Sequence, residues 1–143
     1  MDVKQLSIFI ENTPGSLVNL TRLLGEHKID LISLSVADTS SFGILRGIVA
    51  NPDEALQVVL NAGFTARLDT VIPMEVPDQP GALAKVLGYL AEANIFVEYL
   101  YSFLRDGGKE AYIILRTQQT EEAKTLLKSK SVRILSAQEV YFL

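Results

Sequence analysis

The residues best suited to chemistry in this chain sit in two short turns, Asn12-Thr13-Pro14-Gly15-Ser16-Leu17 and Asp78-Gln79-Pro80-Gly81-Ala82-Leu83. Each leads into a helical apolar pattern, so each lies at a helix N-terminus. The first backbone N–H groups of a helix lack intrahelical partners and carry partial positive charge, which suits a carboxylate. Gly15 and Gly81 fall in that first turn, where the missing side chain lets a ligand approach the backbone. Asn12 and Asp78 stand just before it. A side-chain oxygen there can accept from an ammonium, and Asn12 can also donate to a carboxylate. The chemistry on offer is the non-covalent grip of a small zwitterion. The competing reading is that Asn12 and Asp78 only organise their turns and that the Pro-Gly pairs only set backbone geometry.

Other chemistries are poorly served. The 143 residues include no cysteine and one histidine, which excludes disulfides, thiolate metal sites, Cys nucleophiles and a His-rich metal site. His27 falls near a helix C-terminus, where the dipole favours it as a surface residue. No Ser-His-Asp set or nucleophile elbow is present. Asp53/Glu54 and Glu121/Glu122 fall at helix starts and read as dipole partners. Thirteen Lys and Arg against seventeen Asp and Glu give a net charge of −4, which argues against nucleic acid and anionic membrane as partners. The apolar stretch from Ala82 to Leu104 is broken by Lys85, Glu92 and Glu98 and is too charged to span a bilayer. The start of the chain has no signal-peptide pattern. With 48% hydrophobic and 21% charged residues, the expectation is a folded, soluble, cytoplasmic protein without cofactor.

The two turns belong to a repeat. Pro14-Gly15 recurs 66 residues on as Pro80-Gly81, and at that offset seven of 32 positions from Leu6 to Ala37 match identically; chance would give roughly two. The offset then slips by two, so that Glu54-Ala55 aligns with Glu122-Ala123. The chain therefore reads as two units, 1–70 and 71–143, with no Gly/Ser- or Pro-rich linker between them.

Each unit reads as β-α-β-β-α-β. In the first, Leu6, Ile8 and Ile10 alternate with Gln5, Ser7 and Phe9, a half-buried strand. Thr13 is placed to N-cap a helix with Pro14 at its first position and a stripe of Leu17, Leu20 and Leu24. Residues 29–36 and 43–50 read as strands around the turn cluster Asp38-Thr39-Ser40-Ser41. A helix follows Asn51-Pro52, with Ala55, Leu56, Val59 and Ala62 inward and Gly63 at its end. Residues 64–70 close the unit. The second unit repeats this with strands at 71–76, 95–104, 110–117 and 132–143, a hairpin at Arg105-Asp106-Gly107-Gly108-Lys109, and a helix capped by Thr120. Arg46 reads as paired or snorkelling on an exposed strand face, and Tyr99, Tyr101 and Tyr112 as sheet packing. The expected class is α+β, two ferredoxin-like units, each an antiparallel sheet with helices on one face.

That arrangement serves many functions. RNA-recognition modules share it but stack bases on aromatics and carry positive charge; the third strand here, Ile44 to Val49, has no aromatic. Acylphosphatases share it but need an arginine in the loop after the first strand. A strand, Asn or Asp, one residue, Pro-Gly, one residue, Leu, a helix, and then Ile29-Asp30 or Ile95-Phe96 resembles the ACT domain, as does Phe42-Gly43-Ile44-Leu45-Arg46-Gly47-Ile48-Val49. The resemblance covers both units. It implies a regulatory, non-catalytic module that binds a small ligand, most often a free amino acid, at an interface between ACT units. It also implies that polar residues before the proline and at the start of the second strand contact ligand, the latter being Asp30. Phe96 replaces Asp30 in the second unit, which makes the two sites unequal, and Ile10 and Val76 stand where some members have a polar residue. The candidate ligand-binding residues are thus Asn12, Thr13, Gly15, Asp30, Asp78, Gln79 and Gly81. Expected partners are a free amino acid, an enzyme of amino-acid metabolism and a second copy in a homodimer. The alternative is a ligand-free interaction module acting on a partner metabolic enzyme.

Overall fold

A computed structural model describes residues 2–11, 13–38, 42–103, 108 and 110–142. Asn12, most of the turn cluster at 38–41 and most of the 105–109 hairpin lie outside the described residues. Two compact units are present, Lys4–Asp69 and Met1–Val3 with Thr70–Leu143.

The first unit comprises β1 (Val3–Glu11), α1 (Ser16–Glu26), β2 (Leu31–Asp38), β3 (Phe42–Val49), α2 (Pro52–Asn61) and the opening residues of β4 (Thr65–Pro77). Its strands lie in the order β2-β3-β1-β4. β1 and β3 pair antiparallel with Ile8 opposite Leu45, and β2 pairs antiparallel with β3. Alternation along β1 puts Leu6, Ile8 and Ile10 on the face that buries Leu20 and Leu24 of α1 and Ala55 and Val59 of α2. Each fully buried leucine contributes about 1.5–3 kcal/mol of hydrophobic stabilisation.

The opposite face of β1 corrects the half-buried expectation. Gln5 and Ser7 are also buried. They tolerate this because they are bonded: Gln5 Nε2 donates to Ser7 Oγ at 2.9 Å and Ser7 Oγ to Asp69 at 2.8 Å. Asp69 in turn accepts from Arg67 Nε at 3.2 Å. A buried polar group costs little only when it is satisfied in this way. The apolar stripes are also narrower than expected, since Leu17 is 41% exposed and Ala62 is exposed.

The second unit comprises the rest of β4, α3 (Ala82–Glu92), β5 (Tyr99–Phe103), β6 (Glu110–Arg116), α4 (Thr120–Ser129), β7 (Arg133–Ile134) and α5 (Ala137–Tyr141). β4 lies beside β6, β6 beside β5, and β7 pairs β4, so the strand order is that of the first unit. Ile72, Met74 and Val76 pack with Val86, Leu90, Ala123 and Leu127. Two strand expectations are corrected. Residues 95–98 are irregular, because the end of α3 and the Phe96 C=O, which accepts from Thr117 Oγ1 at 2.7 Å, hold that segment off the ladder. In place of one strand over 132–143, the described residues form a two-residue strand, Arg133–Ile134, and a short helix, Ala137–Tyr141, because Ser136 and Glu139 build a reciprocal capping box. Tyr99, Tyr101 and Tyr112 are half-buried, Tyr112 against Phe103 at 5.2 Å.

All four long helices end alike. The N–H groups of Ile29, Phe64, Ile95 and Val132 reach back to the carbonyls of Leu24, Val59, Leu90 and Leu127 at 2.9–3.0 Å. This is the Schellman closure, which demands a left-handed residue just before it. Gly63 fills that place in α2, but Lys28, Asn94 and Ser131 fill it elsewhere with φ of 57–62°. No helix is long and apolar enough to cross a membrane among the described residues.

Candidate functional site

The Pro-Gly pairs are the middle residues of two tight turns. Gly15 has φ 91° and ψ −19°, and Gly81 φ 87° and ψ −12°. Ser16 N–H donates to the Thr13 carbonyl and Ala82 N–H to the Gln79 carbonyl, both at 3.2 Å. Proline second and left-handed glycine third is a type II turn. A Cβ built on either glycine meets nothing within 4 Å. Glycine is therefore required by the backbone angle rather than by a crowded approach.

These turns correct two capping expectations. Gly15, not Thr13, is the N-cap of α1; the Thr13 hydroxyl pairs with Ser16 Oγ at 2.6 Å instead. Gln119, not Thr120, is the N-cap of α4, and Thr120 Oγ1 turns back to the Thr117 carbonyl. The N-cap of each helix, Gly15 in α1 and Gly81 in α3, has no side chain with which to cap its first amides. The first N–H groups of a helix, which lack intrahelical partners, suit an anion at either start.

A cleft of about 510 Å³ opens beside the first of these turns, lined by Phe9, Ile10, Glu11, Ser16, Asn19, Phe42, Gly63, Phe64 and Thr65. The end of β1, the start of α1, the start of β3 and the entry to β4 all meet there. Phe9 and Phe42 lie 6.1 Å apart at 53°, and the Arg67 guanidinium sits over the Phe9 ring at 5.9 Å. Phe64 reaches this place through the Schellman closure of α2. The second unit has a cleft of about 220 Å³ in the equivalent position, lined by Glu75, Val76, Pro77, Gln79, Ala82, Lys85, Val86, Tyr89, Lys130, Ser131 and Val132.

Of the residues expected from sequence, Gln79 lies on a cleft wall, and Thr13, Gly15 and Gly81 build the bordering turns. Asp78 is exposed in a tighter turn closed by Gln79 N–H to Pro77 C=O at 2.9 Å. Asp30 is exposed beyond the far end of α1. Eleven helical residues span about 16 Å, so the first unit does not bring Asp30 together with Thr13 and Gly15. Glu11, Asn19 and Phe64 line the first cleft without having been expected there from the sequence. Asn19 was legible as one helical turn beyond Gly15, whereas Phe64 needed the helix end to be known. His27 is exposed, its Nδ1 3.0 Å from the Leu23 carbonyl.

The ACT domain pair family matches this chain over residues 1–142. The chain belongs to that family. Among solved structures, this ACT domain pair is similar to protein BT0572 from Bacteroides thetaiotaomicron, with 40% identity and a TM-score of 0.92 over 100% of this chain and 98% of that one. It also resembles the regulatory subunit of aspartate kinase from Thermus thermophilus in its ligand-free form, at 18% identity and TM-score 0.65, covering 90% of this chain and 93% of that one. The corresponding subunit from Thermus flavus gives 17% identity and 0.66, covering 90% of each. At these low identities the two subunits show the fold alone. A search of curated proteins found no match. An ACT domain pair is a regulatory, non-catalytic type of domain, and the α+β architecture of two ferredoxin-like units is the one seen here.

Proposed function

We propose that this ACT domain pair is a non-catalytic regulatory protein that binds a free amino acid in the cleft of its first unit. The observation that carries the reading is the meeting, in one cleft of about 510 Å³, of the start of α1, Glu11 and three phenylalanines. A ligand carboxylate matches the first amides of α1 beside Ser16 and Asn19. The ammonium matches Glu11, and an apolar side chain matches Phe9, Phe42 and Phe64. The Thr13–Ser16 turn fixes the angle at which α1 meets the ligand. Asn12 stays in the proposal as the turn's leading polar residue. The resemblance in fold to regulatory subunits of aspartate kinase supports a role in modulating a partner enzyme of amino-acid metabolism. The assembly that suits the exposed edge of β2 is a homodimer.

A thermal-shift screen against the twenty amino acids, followed by calorimetric titration, tests the reading. Saturating ligand at a hundredfold excess over Kd raises stability by about 2.7 kcal/mol. Glu11→Gln and Asn12→Ala should each weaken binding by roughly 1–3 kcal/mol, the cost of losing one charge-assisted hydrogen bond. Absence of any amino acid binding below millimolar levels would favour the ligand-free interaction module. Unchanged affinity in both variants would place the site elsewhere.

A further inference from the structure

The two clefts occupy equivalent places in the repeat but differ in chemistry. At the 66-residue offset, Phe9 becomes Glu75, Glu11 becomes Pro77 and Asn19 becomes Lys85; at the 68-residue offset, Ala62 becomes Lys130 and Phe64 becomes Val132. The second cleft has therefore lost Glu11 and all three phenylalanines and gained Tyr89, in the place of Leu23, and two ammonium groups; Glu110 stands opposite Pro77 where Phe42 stands opposite Glu11. The acid it gained is already engaged: Glu75 accepts from Arg133 Nη1, and Arg133 also pairs with Glu139. The two lysines are not held by carboxylates among the described residues. Lys130 Nζ lies 5.3 Å over the Tyr89 ring, and no ion pair is formed by Lys85. Each comes from a different element, Lys85 from α3 and Lys130 from the end of α4, and both border one cavity. The first residues of α3, with Gly81 as the N-cap, stand at its rim.

We infer that the second unit carries a separate site for a small organic dianion, a four- or five-carbon dicarboxylate. Two cations from independent elements demand two negative charges, or one shared carboxylate with a second at the helix start. Val76, Val86 and Val132 give the cavity an apolar wall that a short methylene chain covers and inorganic phosphate does not. The volume, about 220 Å³, admits such a molecule. The two units of one chain would thus report two different metabolites.

The test is calorimetric titration of the full chain with glutarate, succinate and inorganic phosphate, at low and at raised salt. Glutarate or succinate should bind, with affinity falling as salt rises, and phosphate should bind far more weakly. Lys85→Gln and Lys130→Gln should each weaken dicarboxylate binding by about tenfold or more, the loss expected for one charge-assisted bond. Both variants should keep the parent's melting temperature and any amino-acid binding that depends on Glu11. Failure of both dicarboxylates to bind below millimolar levels overturns the inference. So does binding that survives both lysine substitutions, or phosphate binding as tight as glutarate. Because the first-unit reading is probed through Glu11 and Asn12, either proposal can fail while the other stands.

Discussion

The residues that look most like ligand contacts in the sequence, Gly15 and Gly81, are first of all backbone devices. Their left-handed angles close type II turns and aim α1 and α3. Open space around each Cβ position means that a larger residue would strain the backbone without colliding with anything. Gly81→Ala should therefore destabilise the chain by about 1–2 kcal/mol, the cost of an L-residue in that region, as read from denaturant midpoints. Substitution by Val at Gly15 should cost stability for the same reason rather than by filling the cleft. Pro-Gly was legible as a turn in the sequence, but its type was not, because the type depends on where the helix starts. The placement of Asp30 came from family resemblance, at an interface between units; within its own unit the length of α1 separates it from the Thr13–Ser16 turn.

At the scale of elements, the repeated Schellman closure makes a graded prediction. Lys28 and Asn94 both hold left-handed angles of 57°, yet asparagine tolerates that region better than lysine. Lys28→Gly should raise stability by about 1 kcal/mol, and Asn94→Gly by less, as measured by thermal or urea unfolding. The short helix α5 depends on Glu139, whose carboxyl is held below its ordinary value. The Ser136 backbone N–H bonded to it is the main cause, opposed by desolvation, with the Ser136 and Arg133 side chains adding to the lowering. A carboxyl lowered in the folded state contributes stability that is present above the ordinary carboxylate range and lost as pH falls through the lowered value. Protection factors in α5, referred to the intrinsic exchange rate at each pH, should fall on acidification through that range, and Glu139→Gln should remove that pH-dependent part of the protection. The capping box Ser136-Ala137-Gln138-Glu139 is a helix-start signal written in the sequence. It was overlooked because the apolar run at 132–143 also fits a strand, and runs this short satisfy both periods. The helix pattern of 52–61 and the alternation of β1, by contrast, were long enough to identify their elements.

For the whole molecule, the 66-residue repeat made the fold readable, since each unit's element order vouched for the other's. What the repeat could not show is where the units diverge, and the edge strands do. Leu34 and Val36, two residues apart on one face of β2, are 47% and 43% exposed, and Val18 on α1 is 49% exposed. The counterpart of Leu34 in the second unit, Leu100, is packed against its own core, and Val36 is matched by Ser102. β2 is an edge of its sheet, so it offers unpaired backbone groups beside an apolar surface, a combination that proteins protect by pairing or by cover. A second copy of the same strand, running antiparallel, satisfies both needs at once and closes the assembly as a two-fold dimer. Light scattering after size exclusion should give a dimer at micromolar concentration. Val36→Lys should shift it to monomer, because charge on an edge strand opposes further pairing. The side chain is exposed, so the fold of the unit should survive, as circular dichroism would show. A monomeric parent chain, or a Val36→Lys variant that remains dimeric, would remove β2 as the interface and leave Leu34 and Val36 without a partner of their own kind.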